Sequence, residues 1–139
     1  MPKITWDNSF SVHNSELDEQ HQKWIAILNE LHQALISDDV GNLQSISQTT
    51  LDAMMNYVRY HFSTEEDFLT AINYPELAAH KKIHDKFYVQ IKELRNDVHA
   101  GVKVLNSEIM KTLTNWLQAH ILQEDMKYSQ FAASLGLHG

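Results

Sequence analysis

Two pairs of side chains able to bind metal stand four residues apart in one stretch, HFSTEEDFLTAINYPELAAHKKIH, running from His61 to His84. His61 and Glu65 form the first pair, His80 and His84 the second. A four-residue step in an α-helix turns about 400°, so the members of each pair lie one above the other, about 6 Å apart. Imidazole and carboxylate at that spacing can reach a common cation. Pro75 separates the pairs, and proline is accepted at a helix start but not in its interior. The stretch therefore reads as two antiparallel helices with four metal-type donors between them.

Apolar spacing supplies the elements that would hold these donors. Ser15-x-x-Asp18 resembles a capping box with Asp in place of Glu, which starts a first helix near Leu17. Leu17, His21, Trp24, Leu28, Leu31 and Leu35 then alternate steps of four and three, the seam of a bundle helix. Ser37-Asp38-Asp39-Val40-Gly41 reads as a turn. A second seam follows through Leu51, Met54, Val58, His61, Glu65, Phe68 and Ile72. A third runs through Leu77, His80, His84, Phe87, Ile91, Leu94 and Val98, with Gly101 placed to end the helix. Asn106 or Ser107 can cap a fourth helix carrying Ile109, Leu113, Trp116, Leu117 and His120 inward. Residues 1–16 read as an extended arm with Ile4, Trp6, Phe10 and Val12 laid over the bundle, and Phe131 and Leu135 of the tail can pack back on it. The expected architecture is all-α: an antiparallel up-down-up-down four-helix bundle with an extended N-terminal arm and a short C-terminal helix. The helices span about 17–37, 41–73, 75–100 and 107–127, with a tail over 128–139, in one domain of 139 residues.

Composition narrows the function classes. The chain has no Cys, which excludes disulfides, thiolate zinc sites, iron–sulfur clusters and thiol catalysis. Net charge is −7 and no Lys/Arg cluster occurs, so neither nucleic acid nor an anionic membrane is an expected partner. No apolar run approaches the ~18 residues of a membrane span, and the N-terminus lacks the apolar core of a signal peptide. The expected location is the cytoplasm.

Five of nine histidines, His21, His61, His80, His84 and His120, occupy seam positions, and every helix contributes at least one. A lone seam histidine is ordinarily a hydrogen-bonded core residue. Five at matching heights are not, and in an antiparallel bundle all five fall toward one end. Such a set with carboxylates and no thiolate suits Fe, Mn or Zn, and bridging carboxylates point to two metals. Glu65 is one candidate bridge. Glu124, four residues after His120, stacks over it in an α-helix, whereas Asp125 lies about 140° around; spacing alone leaves both open. His13, His32, His99 and His138 read as surface residues. Glu66 and Asp67 read as solvated neighbours of Glu65, one of which could stand behind a ligand.

At these residues the chain resembles the hemerythrins, single-domain bacterial hemerythrins in particular, over essentially its whole length. The resemblance rests on the arm, His21-Gln22, His61-x3-Glu65, Tyr74-Pro75, His80-x3-His84 and Trp116-Leu117-x-x-His120-Ile121-x3-Asp125. It implies a metal-ligand set of His21, His61, Glu65, His80, His84, His120 and Asp125. The cofactor implied is two non-heme iron ions (Fe2+/Fe3+) with an oxo or hydroxo bridge. His80, His84 and His120 would bind one iron, His21 and His61 the other, with Glu65 and Asp125 bridging. Because the family pattern selects Asp125 over Glu124, a π-bulge or similar distortion is expected near 121–125. Nine protein bonds and two from the bridge leave one of twelve octahedral positions open, and nine donors over-supply two tetrahedral zincs.

The function implied is reversible O2 binding for storage, delivery or buffering, with O2 held as hydroperoxide on the five-coordinate iron; such a protein is not an enzyme. Neutral imidazoles replace most of the carboxylates that ferritin-like oxidases use to stabilise high oxidation states. Trp24, Ile25, Phe62, Phe68, Leu117 and Ile121 offer an apolar lining for the O2 pocket, and Tyr128 matches a family tyrosine near the diiron centre. The alternatives are O2 or redox sensing through a separate partner protein, and a diiron oxidase or an enzyme reducing peroxide or nitric oxide.

Overall fold

The computed structural model describes residues 4–36 and 40–136, of which 40–43 by their backbone alone. Four long helices form the bundle: α1 (Ser15–Ile36), α2 (Val40–Ala71), α3 (Leu77–His99) and α4 (Ser107–Ala119). A π-helical turn, His120–Asp125, links α4 to a short C-terminal helix, α5 (Met126–Ser134). No strand occurs among the described residues. The antiparallel four-helix bundle follows from the apolar seams, with α1 packed on α2 and α4, and α2 packed on α3. The expected turn over Ser37–Asp39 and the expectation for His138 lie outside the described residues.

Helix ends are set by local chemistry, with one departure from expectation. Asn14, not Ser15, caps α1: its Oδ1 accepts from Leu17 N–H at 3.1 Å. Asp18 closes no capping box and instead holds the arm, accepting from Ser11 Oγ–H at 2.6 Å and Val12 N–H at 2.9 Å. After α2, Asn73 takes φ 55°, and Tyr74 N–H donates back to Leu69 C=O at 3.0 Å, while Asn73 N–H donates to Thr70 C=O. After α3, Gly101 takes φ 74° with the corresponding bonds from Val102 and Gly101 to Asp97 and Val98. Both are Schellman endings, which need a residue that tolerates the left-handed region. Asn106 caps α4, its Oδ1 accepting from Ile109 N–H at 2.9 Å. In the arm, a 3-10 turn over Asn8–Phe10 interrupts the extended path. Asn29 clamps the arm from α1, accepting from Ile4 N–H and donating to Ile4 C=O.

The core divides into two apolar clusters. The larger contains Trp24, Ile25, Leu28, Met54, Phe62, Phe87, Leu117 and Ile121; the smaller contains Val12, Leu17, Leu69, Tyr74, Tyr128 and Ala132. Several seam positions shift by one residue: Leu69 and Met110 are fully buried where Phe68 and Ile109 are half-buried. Leu135 is 51% exposed rather than packed on the bundle: it stands just past the end of α5, next to the left-handed Gly136. His32 is buried on the α1 flank, contrary to its reading as a surface residue, while His13 and His99 are exposed.

Candidate metal centre

Each helix carries the polar layer between the two apolar clusters. On α1, His21 falls between Leu17 of the smaller cluster and Trp24 of the larger. On α2, Glu65 falls between Phe62 and Leu69 in the same way, and the chain segment from α4 to α5 places His120 and Asp125 between Leu117 and Tyr128. Seven side chains meet in this layer: His21, His61, Glu65, His80, His84, His120 and Asp125, none more than 4% exposed. His61 Nε2 lies 3.2 Å from Glu65 Oε2, and His80 and His84 place Nε2 at 2.6 and 3.1 Å from Glu65 Oε1. Asp125 Oδ2 lies 3.1 Å from His21 Nε2; Asp125 Oδ1 lies 3.1 Å from His120 Nε2 and 3.3 Å from His80 Nε2.

Two groups of donors could hold a cation, each with its ligand atoms within 4.8 Å of one another. One is Glu65, His80, His84, His120 and Asp125; the other is His21, His61 and Glu65. Glu65 is common to both. Both nitrogens of His21, Nε2 of His61 and both oxygens of Asp125 are buried without a hydrogen-bond partner. Polar atoms orphaned in a protein interior are rare and costly, and inward-facing lone pairs in this number fit positive charge among them. The donor set, imidazole and carboxylate without sulfur, is one that iron accepts.

Electrostatics point the same way. Burial opposes charge on Glu65, but the four imidazoles gathered round it, His21, His61, His80 and His84, outweigh it and hold the carboxyl well below the usual range. Burial and the Glu65 charge raise Asp125, yet His120 and His21 bring it below its ordinary value. Burial likewise disfavours protonated His21 and His80, but the Asp125 and Glu65 carboxylates win and hold them up at about 9 and about 10. At His61 burial prevails and its pKa falls. Without a metal, protons on the imidazoles therefore balance the two carboxylates.

The π-helical turn accounts for the second carboxylate. Closing on i→i+5 bonds, it returns a five-residue step to the same face, so Asp125 comes round over His120. Glu124, which α-helical geometry would have stacked there, is half-buried on the outside, its carboxylate 3.4 Å from Lys127 Nζ. Trp24, Ile25, Phe62, Leu117 and Ile121 are all buried in the larger cluster. Phe62 stacks on His84 with ring centroids 3.7 Å apart, and Trp24 meets His61 edge-on at 5.8 Å. Phe68 is only half-buried and packs against the smaller cluster. Tyr128 is wholly buried and donates its hydroxyl to Glu65 Oε2 at 3.2 Å.

Three neighbours of the donors complete the layer; sequence reasoning missed Gln20 altogether and left Glu66 and Asp67 as alternatives. Gln20 is buried and its Oε1 accepts from His61 Nδ1–H at 2.7 Å; the only signal was a polar residue directly before His21. Glu66 bonds His84 Nδ1 at 2.8 Å. Trp116, read simply as a seam residue, stacks on His120 at 4.5 Å and on Phe87 at 3.7 Å.

Comparison with known proteins points to one family. The pattern of the hemerythrin HHE cation binding domain matches residues 12–132. A hemerythrin-like protein of Naegleria gruberi is 32% identical over 125 residues, covering 90% of each chain. A bacteriohemerythrin of Methylococcus capsulatus is 32% identical over 129 residues, covering 92% of this chain and 95% of that one. The crystal structure of a wild-type hemerythrin superposes with a TM-score of 0.84 at 29% identity, covering 93% of this chain and 97% of that one. No helix among the described residues is long and apolar enough to cross a membrane. On the match across residues 12–132 and on relatives of similar length, the chain belongs to the hemerythrin family.

Proposed function

We propose that this protein binds O2 reversibly at a non-heme diiron centre, as a store, carrier or buffer rather than an enzyme. His80, His84 and His120 would hold one iron, His21 and His61 the other, and Glu65 and Asp125 would bridge them. The observation that carries the reading is Glu65, a fully buried carboxylate common to both donor groups. Iron at this site would supply one electron per ion to O2 and recover both on release. The protein's own part is to bind, to orient and to keep water out. Five imidazoles add no charge, so two divalent ions against two carboxylates would leave the layer at +2, and a hydroxide between the ions would bring it to +1, a small charge for a layer sealed by apolar clusters. Trp24, Phe62, Leu117 and Ile121 form the wall and offer no readily transferred proton. Tyr128 commits its hydroxyl proton to Glu65, and burial with the neighbouring Glu65 charge holds its pKa well above 10.

The test is an optical titration. The protein is loaded with iron, reduced without air, exposed to O2 and then sparged. A visible charge-transfer band that appears with O2 and disappears on its removal supports the proposal. A protein that becomes ferric irreversibly in one mixing cycle, releasing peroxide or water, would instead be an oxidase.

A further inference from the structure

Among the described residues, two of the five clustered imidazoles have Nδ1 hydrogen-bonded to a side chain, and the partners differ in kind. His61 is backed by the neutral amide of Gln20, itself buried. His84 is backed by a carboxylate, Glu66 Oε2 at 2.8 Å, whose side chain is 22% exposed. Glu66 reaches solvent through a groove between α2 and α3 of about 420 Å³, lined also by Arg59, Ser63, Tyr88 and Lys92. The ring of His84 forms part of the groove floor, and Phe62 lies flat against it at an interplanar angle of 4°. Phe62 fixes the plane of the imidazole; Glu66 fixes which nitrogen faces inward.

We propose that Glu66 is a positioning residue that holds His84 as its Nδ1–H tautomer, keeps the Nε2 lone pair aimed at the metal layer, and makes the metal on the His80/His84/His120 side the harder of the two to reduce. This rests on the diiron reading above. An ionised carboxylate can only accept a hydrogen bond, so Nδ1 carries the proton and Nε2 is the ligand atom. A carboxylate behind an imidazole also raises its basicity, and hence its donation to the metal, more than an amide does. Gln20 on one side and Glu66 on the other thus make the two halves of the layer unequal.

The test uses the full chain with Glu66→Ala and Glu66→Gln, measuring anaerobic Fe(II) affinity and stoichiometry together with the reduction potential of the loaded centre. Glu66→Ala should bind the iron on the His84 side about 10–100-fold more weakly. Glu66→Gln can still accept from Nδ1–H, so its affinity should return to within about threefold of the parent, while loss of the charge raises the potential. Melting of the metal-free variants separates this from a packing defect. Parental affinity in Glu66→Ala, no rescue by Glu66→Gln, or an unchanged potential in both variants would overturn the proposal alone. A parent protein that binds fewer than two irons would overturn the diiron reading with it.

Discussion

At the scale of single residues, the layer is costly to fold unless a cation satisfies it. Seven ionisable side chains are buried together, and orphaned polar atoms among them cost more than ordinary core contacts. His61→Ala should lose one of the two metals and the reversible optical response to O2 while helical circular dichroism persists; retention of two irons and the full response would refute its assignment. Asp125 and Glu124 form a sharper pair. Asp125→Asn removes a buried charge shared by His21, His80 and His120, and should weaken metal binding by well over the ~100-fold typical of an outer partner. Glu124→Gln removes an outside pairing with Lys127, and metal stoichiometry should be unchanged with stability altered by under about 0.5 kcal/mol. Tyr128→Phe deletes a buried hydroxyl bonded to the Glu65 carboxylate, and denaturant unfolding should report a loss of about 1.5–3 kcal/mol.

At the scale of elements, the bundle was legible because its seams repeat, and the donors because they stand on those seams. Period and spacing alone bring His21, His61, Glu65, His80, His84 and His120 to one level. What escaped was decided by contacts between helices rather than along one. Gln20 is adjacent in sequence to a donor but meets a different helix, and no periodicity announces that. His32 sits beside the α1 seam rather than on it, and it is buried all the same. The choice between Glu124 and Asp125 was open to α-helical geometry and closed by family resemblance, which required a distorted turn. That turn can be tested by length. Deleting exposed Gln123 leaves His120 and the aspartate four residues apart, a step an α-helix also stacks, so two metals should still bind. Inserting one alanine after Gln123 makes the step six, which neither helix type stacks, and metal affinity should collapse while helicity remains. Tight binding of two metals by the insertion variant would show that the π-helical turn does not set the position of Asp125.

For the whole molecule, metal and protons would compete for one buried layer, and this sets how stability should depend on pH. In the metal-free protein the folded pKa values of His21 and His80 are raised to about 9 and about 10 from an ordinary 6.5, and that of His84 is raised as well. A raised histidine stabilises the fold fully below 6.5, where both states are protonated, and that contribution erodes as pH climbs through the folded value. His61 runs the other way: its lowered pKa costs stability as pH falls below 6.5, because the unfolded chain takes a proton that the folded one refuses. Glu65 and Asp125, both lowered, contribute stability at all pH above their ordinary 4.5 and 3.8 and lose it only on acidification below that. These signs together place the stability maximum of the metal-free protein near pH 6–6.5, with a fall between about 6.5 and 10. Metal binding requires neutral imidazoles, so the loaded protein should not show that fall, and its affinity should rise with pH over the same window as protons cease to compete. Thermal melts of chelated and reloaded protein at pH 6 through 9.5 measure both curves. The expected outcome is a gap in Tm between loaded and metal-free protein that widens with pH. A metal-free Tm that stays flat or climbs across that range would show that the imidazoles are not held charged by Glu65 and Asp125, and that the carboxylates of the layer meet their charge balance elsewhere.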